Sequence, residues 1–195
     1  MMDWPARIAH YAETTGFPPC MTVGPTGEVY GLMIGGNNYS GNGYYGGYPP
    51  NYLRRMRALF PEKLRAIHVF AGRVDLTDFP GDTLDSNADL QPTFVADAHT
   101  MGDVPLGQYD IALADPPYSV EDATRYGTPM IDRKRVLTAL ERLPVGAHLV
   151  WLDQAMPMYR KDTWAVEAEI TFRRSTNHRY RVMIVFRRLA DIAAD

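Results

Sequence analysis

The chain has 195 residues, a single cysteine and a formal net charge of −3, a length suited to one α/β domain with at most a small appendage. A lone Cys20 excludes an internal disulfide and a cysteine metal cluster. No apolar run approaches the ~20 residues needed to cross a bilayer, and Met1-Met2-Asp3-Trp4-Pro5 has neither the basic flank nor the apolar stretch of a secretory signal, so a cytoplasmic protein without a membrane partner is expected.

Residues 3–14 read as a short helix, with Asp3 as N-cap and Pro5 in the first turn. Met21 to Ile34 reads as a hairpin turning at Gly24-Pro25-Thr26-Gly27. Gly35 to Pro50 is mostly Gly, Asn and Tyr with no aliphatic residue; it cannot be a core element and reads as a surface or ligand-covering loop. Asn51 to Phe60 reads as a helix stopped by Pro61. From residue 64 short apolar strands alternate with other segments: Ala66–Phe70, Gly81–Asp85, Thr93–Asp97, Ile111–Ala114 and Ala147–Leu152. Asp132 to Leu143 is a helix with Val136, Leu137, Leu140 and Leu143 on one face. Strands of this kind joined through helices imply a parallel sheet covered on both sides. Ala165–Phe172 and Tyr180–Phe186 alternate apolar and polar instead, which predicts an antiparallel hairpin at the sheet edge.

The chemistry concentrates at Asp115-Pro116-Pro117-Tyr118, directly after the strand Ile111–Ala114. Two prolines leave a ladder and free its carbonyls. An aspartate at the carboxyl end of a parallel strand lies in the crevice where open α/β sheets bind ligands. An aromatic amine is a poor nucleophile because its lone pair is delocalised into the ring. A carboxylate and a carbonyl that accept its two N–H groups pull it toward tetrahedral geometry, and a tyrosine face can stack on the ring.

These four residues resemble the Asp-Pro-Pro-Tyr motif of the class I amino-methyltransferases, above all the DNA adenine-N6 methyltransferases. The resemblance covers roughly residues 46 to 188 and leaves residues 1–45 unexplained, so the chain divides in sequence into an N-terminal segment, 1–45, and a methyltransferase domain, 46–195. It implies a Rossmann-like sheet, mostly parallel with an antiparallel C-terminal edge hairpin. It also implies S-adenosylmethionine as methyl donor, with no metal. Phe70-Ala71-Gly72, ending a strand, is similar to the family's first cofactor motif. Asp85 falls where an acid accepts the ribose hydroxyls, and Asp97 with Ala98 where the adenine is held. Tyr48 and Pro49 fall in an upstream stretch that touches the cofactor in one arrangement of the family, and Asp115 itself borders the methyl donor.

The motif also departs from the family. The acidic residue usually found two before the phenylalanine is His68, and the second glycine of the first motif is Val74. On the substrate side Tyr118, Arg160, Lys161, Asn177 and His178 are candidates for holding a base or phosphate. Basic residues gather in two groups, Arg54 to Arg65 and Arg160 to Arg181, as a phosphate-binding rim requires. The expected partner is nucleic acid, DNA before RNA. No segment of target-recognition size interrupts the motifs, so the protein is expected to be weakly specific, or to rely on a homodimer or a partner subunit for recognition. Two alternatives stand beside adenine-N6 of DNA: an RNA methyltransferase acting on guanine-N2 or adenine-N6, and a non-catalytic methyltransferase-fold subunit that only binds nucleic acid.

Overall fold

The computed structural model describes residues 2–36, 47–174 and 180–190. Helix α1, Trp4–Thr15, starts where Asp3 accepts the Ala6 N–H at 2.9 Å and ends at Gly16 in the left-handed region. The hairpin follows as β1, Met21–Val23, and β2, Val29–Gly35. Helix α2, Tyr52–Leu59, is entered through Asn51 at φ 61°, a left-handed conformation asparagine tolerates. Strands β3 (Ala66–Val69), β4 (Asp82–Asp85), β5 (Phe94–Val95), β6 (Ile111–Ala114) and β7 (His148–Asp153) correspond to the expected apolar runs. Helices α3 (Val120–Arg125) and α4 (Arg133–Leu140) lie between β6 and β7, and β8 (Trp164–Arg174) with β9 (Tyr180–Arg188) completes the chain.

The described strands form one nine-stranded sheet in the order β1-β2-β8-β9-β7-β6-β3-β4-β5. Five neighbouring pairs are parallel and three antiparallel. The fold class is therefore the expected one, α/β with a mostly parallel sheet and an antiparallel C-terminal hairpin. Beyond that hairpin the sheet continues: β2 lies parallel to β8 and β1 forms the margin. The boundary drawn at residue 45 in the sequence is thus not a boundary of the sheet. Gly35 permits the close approach of β2, since a Cβ there would stand 2.4 Å from the Phe172 ring.

The helices expected between the parallel strands are mostly absent. From β3 onward, only the link from β6 to β7 carries α-helices; β3 to β4 is an irregular loop, and the next two links hold single 3-10 turns, Ala88–Leu90 and Leu106–Gln108. The reason is local. Residues 70–81 combine Gly72, Asp75, Asp78, Pro80 and Gly81, a composition that offers neither helical periodicity nor uninterrupted N–H donors.

Alternation along the strands divides the core into two layers. On one face Ala66, Ile111, Leu113, Val150, Met183 and Val185 pack under α1 and α2. On the other, Ile67, Val69, Ala112, Leu149, Trp151 and Ile184 pack under α4 and the segment 96–109. A β-bulge at Glu167 breaks the β8–β9 register. The Glu167 carboxylate takes hydrogen bonds from Trp4 Nε1, the His148 ring and Arg187, pinning the start of α1 to the sheet. Burial pushes this carboxyl up, but the bonds from His148 and Arg187 prevail and hold it at about 2. No helix of the described residues is long and apolar enough to cross a membrane.

Candidate active site

The site forms along the carboxyl edge of the parallel strands. Ala114, Val69 and Leu84 stand level in β6, β3 and β4. The next residues, Asp115, Phe70 and Asp85, therefore emerge side by side, with neighbouring strands about 4.8 Å apart. This single register line brings together the Asp-Pro-Pro-Tyr segment and, of the expected cofactor residues, Phe70 and Asp85.

At β6 the backbone leaves the ladder through buried Pro116 and Pro117. The Asp115 side chain is only 8% exposed and lies 3.9 Å from the Arg181 guanidinium. Tyr118 Oη donates to Asp115 Oδ1, and the Arg181 guanidinium sits 4.2 Å from the Tyr118 ring centroid. Burial raises the Asp115 carboxyl to about 7; Arg181 opposes the rise, and the charges of Asp153 and Asp122 add to it. The group thus exchanges its proton near neutrality.

A brace stands behind it. Asp153, fully buried at the end of β7, receives Arg133 Nε at 2.6 Å and Nη2 at 3.0 Å, Trp151 Nε1 at 3.1 Å and the Gln154 N–H at 2.6 Å. Arg133 Nη2 also donates to the Tyr118 carbonyl at 3.3 Å. Helix α4, through its first residue, thereby fixes the loop that carries the tyrosine.

At β3 the chain turns through Phe70 at φ 61° and Gly72 at φ 55°. A phenylalanine in that region is strained, a condition that clusters at functional sites. The Ala71 N–H donates to the Leu84 carbonyl at 3.1 Å, and the Gly72 N–H to Asp85 Oδ2 at 2.9 Å. The other Asp85 oxygen accepts the Asn87 N–H at 2.9 Å. Asp85 therefore holds the Phe70-Ala71-Gly72 turn in place, and each oxygen keeps a second lone pair for a ligand hydroxyl. Asp97 stands two residues beyond β5. Its carboxylate, 60% exposed, accepts His99 Nδ1 at 2.7 Å and the His99 N–H at 2.9 Å, while neighbouring Ala98 is buried. His99 Nε2 accepts the Asp132 N–H at 2.9 Å, so its proton is on Nδ1.

Upstream, Tyr48 Oη donates to the Leu113 carbonyl at 3.1 Å, and its ring stacks on Tyr52 at 5.2 Å. Pro49 is buried beside them. His68 is fully buried and donates Nε2–H to the Phe79 carbonyl at 2.9 Å. Burial drives its ring down to about 4, so it is neutral and serves as a core histidine. The Tyr52 hydroxyl is buried with no hydrogen-bond partner among the described residues, and burial and then the nearby Tyr48 and Asp115 raise it far above its ordinary value.

The structure does not bring Arg160 and Lys161 to this site. They precede Trp164, which pairs with Arg188 and lies at the amino end of the parallel strands, opposite Asp115. Both are exposed, and Arg160 pairs with Asp162 at 2.7 Å. The chain must travel back from the end of β7 before it can start β8 parallel to it, and that return carries both residues away. Asn177 and His178 lie outside the described residues. Sequence reasoning did not find Arg133, and it read Asp153 only as the end of a strand that could wall the substrate cleft and Arg181 only as part of a basic rim. Arg181 was legible only as one basic residue of a hairpin; its position depends on pairing with Phe172 and on Val182 facing Asp153, a register the alternation alone does not fix.

No protein-family model and no curated protein matches the chain. Among solved structures it is similar to "putative methylase HI0767" from Haemophilus influenzae, 10% identical, covering 69% of this chain and 86% of that one at a TM-score of 0.44. It is also similar to "Putative methyltransferase yhhF" from Escherichia coli, 12% identical, covering 74% of this chain and 90% of that one at a TM-score of 0.45.

Proposed function

We propose that this protein transfers a methyl group from S-adenosylmethionine to an exocyclic amino nitrogen of a nucleic-acid base, adenine-N6 of DNA before RNA guanine-N2 or adenine-N6. The observation that carries the reading is the register line: a buried carboxylate followed by Pro-Pro-Tyr stands beside a left-handed turn held by the acid of the next strand. The donor set suits one end of the cofactor. Asp85 has lone pairs for ribose hydroxyls, and the Phe70-Ala71-Gly72 turn lets a ligand approach the backbone. The methionine ammonium would find no carboxylate at position 68, because His68 is neutral and bonded to Phe79. When bound, the cofactor supplies an electrophilic methyl on sulfur.

The protein's own part is positional. Asp115 and the Pro116 carbonyl accept the two N–H groups of the amine and direct its lone pair. As the N–C bond forms and the S–C bond breaks, the nitrogen becomes acidic, and Asp115, titrating near 7, takes that proton on its way to solvent. Tyr118 must first release Asp115, since its hydroxyl sits on the oxygen the amine would use. Arg181 then holds one face of the ring and leaves the other for a base flipped out of its stack.

The test is methyl transfer to DNA and RNA followed by nucleoside mass spectrometry. Asp115→Ala is expected to abolish transfer, a loss of about 100-fold or more, while cofactor affinity by calorimetry stays near that of the unmodified protein. Asp85→Ala is expected to weaken cofactor binding. Equal loss of affinity in both variants overturns these roles. One observation favours a second reading, a non-catalytic nucleic-acid-binding subunit: the absence of a carboxylate at position 68. Undetectable cofactor binding with retained nucleic-acid binding would select it.

A further inference from the structure

The face of the sheet under α4 does not continue to the far strands. On β2, Val29 and Met33 turn toward α1 and α2 and are fully buried, whereas Tyr30, Leu32 and Ile34 turn the other way and are 47%, 45% and 47% exposed. Three large apolar side chains in a row on one strand form a contiguous apolar stripe, the kind of surface that marks an interaction site. The register defines what flanks them: Tyr30 stands beside Glu169, Leu32 beside Thr171 and Ile34 beside Arg173. Tyr30 Oη also donates to Glu28 at 3.2 Å. The stripe is thus acidic at one end, apolar in the middle and basic at the other. Glu169 and Arg173 each lie two residues from Thr171, roughly 7 Å to either side.

We propose that this face joins two copies of the chain. The occupant follows from the charge pattern. Consider a two-fold axis lying parallel to the sheet and crossing the strands at Leu32 and Thr171. Rotation about it reverses the strand direction of the second copy. Leu32 then meets Leu32, and each Arg173 faces Glu169 of the other copy. Such self-complementarity is what a closed two-fold interface demands, and two sheets stack face to face at about 10 Å. A nucleic-acid strand suits the stripe less, because Glu28 and Glu169 would repel its phosphates. Tyr180, 57% exposed and paired with Arg173, extends the contact. Asp115 and Arg181 remain open, since Arg181 follows Tyr180 in the strand and points to the opposite face.

Sedimentation velocity across a concentration series, on the full chain, tests the idea independently of any methyl transfer. The unmodified protein is expected to be dimeric at high concentration, and more weakly so as salt rises. Leu32→Glu is expected to give a monomer that keeps the circular-dichroism spectrum of the folded protein, and Tyr30→Ser to weaken association in the same sense. Glu169→Arg and Arg173→Glu are each expected to weaken association about tenfold or more by facing like charges, and the double variant to restore it. A protein that stays monomeric at every concentration overturns the proposal. So does a dimer indifferent to Leu32→Glu, or single reversals that the double variant fails to rescue. If the monomer instead loses nucleic-acid retention on Leu32→Glu, the occupant is nucleic acid and the two-copy interface is wrong.

Discussion

Asp115 carries two opposite dependences on pH. Its carboxyl keeps a proton up to about 7 in the folded chain, against an ordinary value of 3.8. Folding therefore takes up a proton between those values. The contribution of this group to stability is complete below the lower value and is lost as pH rises toward the upper one, with a slope of at most about 1.4 kcal/mol per pH unit. Methyl transfer runs the other way, because only the ionised carboxylate can take up the proton that the amine sheds; kcat/KM is expected to climb through about pH 7. Asp115→Asn should flatten both profiles, keep a fraction of the activity through its amide oxygen, and be read by denaturant midpoints at pH 5 and pH 8 together with a rate profile. Tyr52 offers a complementary test. Its buried hydroxyl has no partner among the described residues, so Tyr52→Phe should stabilise the protein by about 1 kcal/mol, a rise in melting temperature of roughly 2–4 °C. Asp115 was legible in the sequence because two prolines after an apolar strand constrain the backbone on their own. Arg181 and Tyr52 were not, since each reaches the site only through the pairing of elements far apart in the chain.

Among the elements, α4 does more than cover a sheet face. Its first residue, Arg133, holds buried Asp153 by two bonds and the Tyr118 carbonyl by a third. Arg133→Ala would leave a carboxylate buried without its cation, a change that costs about 3–5 kcal/mol; chemical denaturation measures it. That Asp132 caps the helix is seen in the structure; the helix itself was readable from the spacing of Val136, Leu137 and Leu140. Its ion pair was not, because residues 133 and 153 are joined by the β6–β7 crossover rather than by any local rule. The same distinction explains the missing helices between β3 and β6. Strands were predicted from short apolar runs, and those runs formed strands. The links were inferred from the parallel pattern, although Gly72, Asp75, Asp78 and Pro80 deny the first of them a helix. Arg160 and Lys161 mark the opposite error: a basic group close in sequence to a strand end was placed near that end, whereas the chain doubles back before β8.

For the molecule as a whole, the sheet unites the N-terminal hairpin with the far end of the chain. Its central strands were legible from composition, and the antiparallel tail from alternation. That β2 would lie parallel to β8 was not, because nothing in a three- to seven-residue strand names a partner more than a hundred residues away. This pairing has a consequence for synthesis. A hairpin made first finds its neighbour only when β8 and its partner β9 have left the ribosome, and until then the layer that Val29 and Met33 share with α1 and α2 lacks Ala168, Ile170 and Phe172. Nascent chains stalled before Trp164 should expose residues 2–36 to protease and to chaperones, with protection arriving abruptly once the last strand clears the exit tunnel.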